Sequence, residues 1–89
     1  MDSINVTFEG EIFKEPTSGW TSVAWPDSKA VLGTGKTVKV ICKVDGIEFP
    51  VTLMPTGTGC HMVPLKQEIR KKLKKDIGEM VEVQIVSLQ

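Results

Sequence analysis

The sequence predicts a mainly β fold, a small barrel of about six strands with one α-helix before the last strand. Three observations carry this. Apolar and polar residues alternate with period two around positions 4–12, 38–44, 47–53 and 81–85, the pattern of strands with one buried face. Asp45-Gly46 joins two of these segments as a two-residue hairpin turn, which needs positive φ at both positions. Only one long stretch, Leu65 to Ile77, spaces its apolar residues by four as a helix does.

In the first segment, Ile4, Val6, Phe8, Gly10 and Ile12 share one face, opposite Asn5, Thr7, Glu9 and Glu11. Gly10 on the inward face marks a bulge or a close backbone approach. Pro16-Thr17-Ser18-Gly19 turns the chain into a short strand, Trp20 to Trp25, which Pro26 ends. Asp27 then caps one helical turn through Ala30, Val31 and Leu32, and Gly33 stops it. Val38, Val40, Cys42 and Val44 point inward on the next strand, and Ile47, Phe49, Val51 and Leu53 on the one returning from the hairpin. Pro50 lacks an N–H, so this returning strand lies at an edge or presents Pro50 at a non-bonded site. Pro55 to Gly59 is a loop and Cys60 to Val63 a brief strand. Pro64 fits the first turn of a helix with Leu65, Ile69, Leu73 and Ile77 as its inward stripe and Gly78 as its stop. Val81, Val83 and Ile85 face inward on the last strand.

With 89 residues and no repeat or composition break, residues 1–89 read as a single β-barrel domain around one core. No apolar run is long enough to cross a membrane. The start Met1-Asp2-Ser3-Ile4-Asn5 has neither the basic nor the apolar part of a secretory signal, which points to the cytoplasm. Cys42 and Cys60 are the only cysteines and read as reduced thiols rather than a disulfide. Formal net charge is zero but polarised. Lys66 to Lys75 holds six of the eleven basic residues against Glu68 alone, a local charge of +5.

Gly33-Thr34-Gly35-Lys36-Thr37 has the look of the end of a phosphate-binding loop. The earlier glycine that such a loop needs is Ala30, and a strand follows where a helix should, so the stretch reads as a turn. Cys42, Cys60 and His61 lack chelating spacing, and no metal or cofactor is expected. No nucleophile and orienting carboxylate assemble around His61, so no catalytic residue is expected. His61 either ties down the 56–59 loop by a hydrogen bond or contacts a ligand. The fan Lys66, Arg70, Lys71, Lys74 and Lys75 is either a solvated face or an anion contact. Trp20 and Trp25 are five apart and so face opposite sides of a regular strand; an exposed indole there either stacks on a base or ring or packs the corner set by Gly19 and Pro26.

The string Leu32-Gly33-Thr34-Gly35-Lys36, Val38, Val40, Val44-Asp45-Gly46, Phe49, Leu53-Met54-Pro55, Gly57, Gly59, His61, Pro64-Leu65-Lys66 and Ile69-Arg70-Lys71 resembles a bacterial and archaeal family known as a domain of unknown function. The resemblance runs from about Ile4 to Ile85 and implies a small double-split β-barrel. Such domains occur alone or fused to a bacteriocin-protection (OmpD-associated) type domain, and no activity is attached to them. Many relatives carry Asp between the two loop glycines and Gly-Asp near the last strand, where this chain has Thr58 and Glu79. The first departure weakens any role for a loop carboxylate.

Together these readings predict a non-catalytic binding or interaction module. Its site for a small anionic ligand, or for an acidic segment of a protein partner, comprises Gly57, Gly59, His61, Lys66 and Arg70. The alternative is a homodimer that sets Lys71, Lys74 and Lys75 on nucleic acid, as dimeric regulators of similar fold do. An enzyme of unknown reaction is the third and weakest reading.

Overall fold

The alternating segments form the expected strands and close on themselves. The computed structural model describes residues 3–16, 19–56 and 60–88. Six strands, β1 (Ser3–Lys14), β2 (Thr21–Trp25), β3 (Val38–Val44), β4 (Ile47–Pro55), β5 (His61–Pro64) and β6 (Met80–Leu88), form a closed antiparallel barrel in the order β1-β2-β5-β4-β3-β6. Two short helices, α1 (Ser28–Leu32) and α2 (Gln67–Leu73), interrupt them, the second directly before β6. No helix among the described residues is long and apolar enough to cross a membrane.

The core follows the alternation: Ile12, Val40, Cys42, Val44, Leu53, Val81, Val83 and Ile85 all lie inside. Each such side chain contributes roughly 1.5–3 kcal/mol by leaving water. Trp25 joins them, its ring stacked on Phe8 at 5.4 Å between centroids and 7° between planes, while Trp20 stays half exposed. Burial pushes the Cys42 thiol up to about 12, so it remains protonated and acts as a small apolar filler. Neither Cys42 nor Cys60 forms a disulfide.

Gly10 is the close approach rather than the bulge. Pairing with β6 is regular at this position, whereas a Cβ built on it would stand 2.5 Å from Cγ1 of the buried Val23. Register shifts occur instead between Ser3 and Val6 and between Ile41 and Cys42. The hairpin is as expected, with φ of 47° at Asp45 and 89° at Gly46.

Four local expectations need correction. Asp27 occupies the N-cap of α1, but its side chain makes no capping hydrogen bond, although Gly33 does stop the helix in a left-handed conformation. Pro64 ends β5 instead of opening a helix, and that strand covers His61–Pro64, one residue later than expected. Helix α2 is far shorter than the apolar spacing implied, because Lys74 adopts φ 58° and closes it at Leu73. Leu65 is buried from extended chain ahead of α2, and Ile77 lies exposed in the turn beyond it.

Candidate functional site

The barrel is closed unevenly, and the weakest join creates a cleft. β4 has nine residues and β5 only four, so the two pair only through Met54↔Met62 and Pro55↔His61. Before Leu53, the side of β4 away from β3 meets no strand among the described residues. In a two-residue hairpin the flanking residues exchange both main-chain bonds, here Val44 and Ile47. Alternation then turns the main-chain groups of Glu48, Pro50 and Thr52 toward the open side. Pro50 leaves that edge without a donor at its middle, consistent with its expected place on an unpaired side.

α2 stands beside this open edge, where a longer β5 would have run. Between them lies a cleft of about 730 Å³. Trp20, Pro50, Val51, Met54, Pro64 and Leu65 give it apolar walls; Thr21, Thr52 and Gln67 are polar; Lys39, Lys66 and Arg70 bring positive charge. No Asp or Glu lines it among the described residues.

Two of the expected site residues therefore come together here. Lys66 is the N-cap of α2, in extended conformation, and Arg70 follows one turn later. Arg70 Nε is buried with no hydrogen-bond partner, and Nη1 is 3.7 Å from Oδ1 of the exposed Asp76. A loose exposed ion pair is worth about 0–1 kcal/mol, less than the roughly 1–3 kcal/mol that an unsatisfied buried donor costs. The guanidinium is thus an incompletely satisfied cation at an apolar cleft. The positive charge at this end of the cleft rests on the side chains of Lys39, Lys66 and Arg70.

His61 is placed elsewhere. It is fully buried, and its ring accepts no further partner: Nε2 lies 2.7 Å from the Lys36 carbonyl and Nδ1 2.7 Å from Ser28 Oγ. A carbonyl only accepts, so Nε2 carries the proton, and Ser28 Oγ–H donates to Nδ1. The His61 amide in turn donates to Ser28 Oγ at 2.6 Å. His61 ties down α1 and the 33–37 turn, and both of its ring nitrogens are engaged there. Ser28 and His61 form a serine–histidine pair, yet both are sealed from solvent and the third partner is a carbonyl, not a carboxylate. Gly57 and Gly59 lie outside the described residues.

The basic fan is also divided. Lys71 is exposed on α2, Lys74 is its left-handed C-cap, and Lys75 lies beyond the helix. Lys75 Nζ binds Asp45 Oδ2 at 2.7 Å and the Met80 carbonyl at 2.8 Å, holding the β3–β4 hairpin against β6. Partial desolvation opposes ionisation of Asp45. The Lys75 hydrogen bond, the Glu82 amide and the Lys75 charge outweigh it and hold the carboxyl below its ordinary value.

Lys39, Pro50, Met54 and Ser28 were not legible as site or network residues, although the missing donor at Pro50 pointed to an edge or a non-bonded site. Residues 8–85 match the family described as Domain of unknown function (DUF1905). The chain belongs to that family. The match spans Phe8 on β1 to Ile85 on β6, so the DUF1905 region includes every element that borders the cleft. None of the curated proteins is significantly similar in sequence to this chain.

Proposed function

We propose that this DUF1905 domain is a non-catalytic binding module that holds an anionic ligand or partner in the cleft between β4 and α2. The observation that carries this reading is a cleft lined by Lys39, Lys66 and the incompletely paired Arg70, with no acidic lining residue among those described. An anion at this position adds to the loose pair that Arg70 makes with Asp76 and relieves the repulsion among three cations. The sealed Ser28–His61 pair supports a binding role over an enzymatic one, since its hydroxyl and ring are engaged in holding the fold. We place the module in the bacterial or archaeal cytoplasm, where such domains stand alone or serve a fused bacteriocin-protection type domain.

Titration of ¹⁵N-labelled protein with inorganic phosphate, small dicarboxylates, nucleotides and a short DNA duplex tests the reading. Amide shifts are expected at Thr52, Gln67 and Arg70, and are expected to vanish in a Lys66→Ala, Arg70→Ala double variant. Shifts that survive the double variant unchanged, or no shifts with any of these probes, would overturn it. Shifts restricted to Lys71, Lys74 and Lys75 with the duplex alone, falling steeply with salt, would support the dimeric nucleic-acid alternative instead.

A further inference from the structure

Resting on that reading of the cleft, we infer that its occupant is a small organic anion, a flat aromatic or heteroaromatic ring bearing a carboxylate or phosphate, and not an extended peptide. Size comes first. About 730 Å³ lies within the roughly 300–1,000 Å³ of small-molecule sites. The polar end is set by Arg70 and Lys66, and a planar guanidinium grips an oxyanion with two parallel hydrogen bonds. The apolar end is set by the half-exposed Trp20 ring with Pro50, Met54 and Leu65. Indole and proline faces accept a flat ring, and a methionine thioether adjusts to its edge.

A peptide fits the same walls less well because of the main chain. Strand addition draws its affinity from a continuous row of edge donors and acceptors. Pro50 removes the central donor of this edge, leaving the amides of Glu48 and Thr52 on either side of a gap. The exposed Glu48 at one end of that edge also repels an acidic peptide. A ring with one oxyanion needs none of these main-chain groups.

The inference is tested with 2-naphthoate, 2-naphthyl phosphate, neutral 2-naphthalenemethanol, inorganic phosphate and an acidic hexapeptide, each titrated into the full chain. The readouts are the Arg70 Nε–H signal and the Trp20 indole signal, with the buried Trp25 indole as internal reference. Both naphthyl anions, or one of them, should move the Arg70 Nε–H and Trp20 signals together. The neutral alcohol and inorganic phosphate should bind at least about tenfold more weakly, and Arg70→Lys, which keeps charge but loses the planar fork, should weaken the naphthyl anion by about tenfold. Comparing the two naphthyl arms tells carboxylate from phosphate. Equal binding of the alcohol would overturn the requirement for an anion, and equal binding of inorganic phosphate the requirement for a ring. Shifts at the cleft with the hexapeptide but with neither naphthyl anion would overturn this inference while leaving the binding module standing. No response at Thr52, Gln67 or Arg70 to any probe would overturn both.

Discussion

His61 and Arg70 are both largely withdrawn from water, and the fold treats them in opposite ways. Around His61, every nitrogen has a partner: the amide and both ring nitrogens engage Ser28 and Lys36, tying together β5, α1 and the turn before β3. Around Arg70, Nε has none and Nη1 reaches only an exposed carboxylate at 3.7 Å. The first region is polar chemistry completed within the chain, as buried polar groups require. The second leaves a charged group incomplete where β4 and β5 have parted, at the mouth of an apolar cleft. The difference separates a histidine whose polar groups the barrel completes from an arginine whose charge it leaves incompletely paired.

The largest effect should follow from breaking the completed region. Ser28→Ala removes the hydroxyl that serves both the His61 amide and Nδ1, leaving two buried groups unsatisfied, so a loss of about 2–4 kcal/mol is expected in urea unfolding. A variant with the wild-type urea midpoint would show that these bonds do not hold the fold.

A smaller loss, about 1–3 kcal/mol, is expected from Gly10→Ala, whose methyl would meet Val23 Cγ1 at 2.5 Å in a packed core. Val23 is β-branched and fully buried, so it has little room to turn aside. Because the clash is between these two residues, adding Val23→Ala should destabilise by less than the sum of the two single changes. Strict additivity in that cycle would argue against contact as the cause.

The Asp45–Lys75 latch should contribute less. Asp45→Asn retains an acceptor for the Glu82 amide and a residue tolerant of positive φ, so it removes chiefly the charge. At this partly exposed site the expected cost is about 0.5–1 kcal/mol at pH 7. The Asp45 pKa is lowered in the fold, so its contribution is fully present above the unfolded value near 3.9 and is lost as pH falls through the folded value. The melting temperatures of wild type and Asp45→Asn should therefore converge as pH is lowered from about 5 toward 2. A gap that stays constant across that range would remove the charge from the explanation.

The two regions also differ in how far the sequence disclosed them. β1, β3, β4 and β6 were legible because a closed barrel wets one face of each strand, and the resulting alternation survives in Val38, Val40, Cys42 and Val44 and their neighbours. α2 was overextended because Leu65, Ile69, Leu73 and Ile77 keep helical spacing, although Leu65 is buried from extended chain and a left-handed Lys74 stops the helix. His61 was recognised as a structural candidate, but its partners lie 33 and 25 residues away, with no local signal to connect them. The cleft depends on β5 being shorter than β4, a property of pairing that neither segment shows alone. Lys66 and Arg70 emerged from the crowding of charge, while Lys39 was hidden in the ordinary alternation of a solvent-facing row.

The smallest change in stability, and the sharpest contrast with Ser28→Ala, is expected from Arg70→Met. Methionine keeps much of the length and apolar volume of the arginine stem, so contacts along the cleft wall persist. The guanidinium contributes little in the free protein: its ion pair with Asp76 is loose and exposed, its Nε is buried unsatisfied, and Lys66 and Lys39 share the same cleft. Removing it deletes a weak attraction of about 0–1 kcal/mol together with an uncompensated desolvation of similar or larger size. Thermal unfolding should therefore leave the variant within about 0.5 kcal/mol of wild type, or slightly more stable, as sites shaped for binding often are when their charged group is replaced. A loss above about 1 kcal/mol would place Arg70 with His61 among the groups that the barrel needs for itself, and the contrast between the two regions would fail.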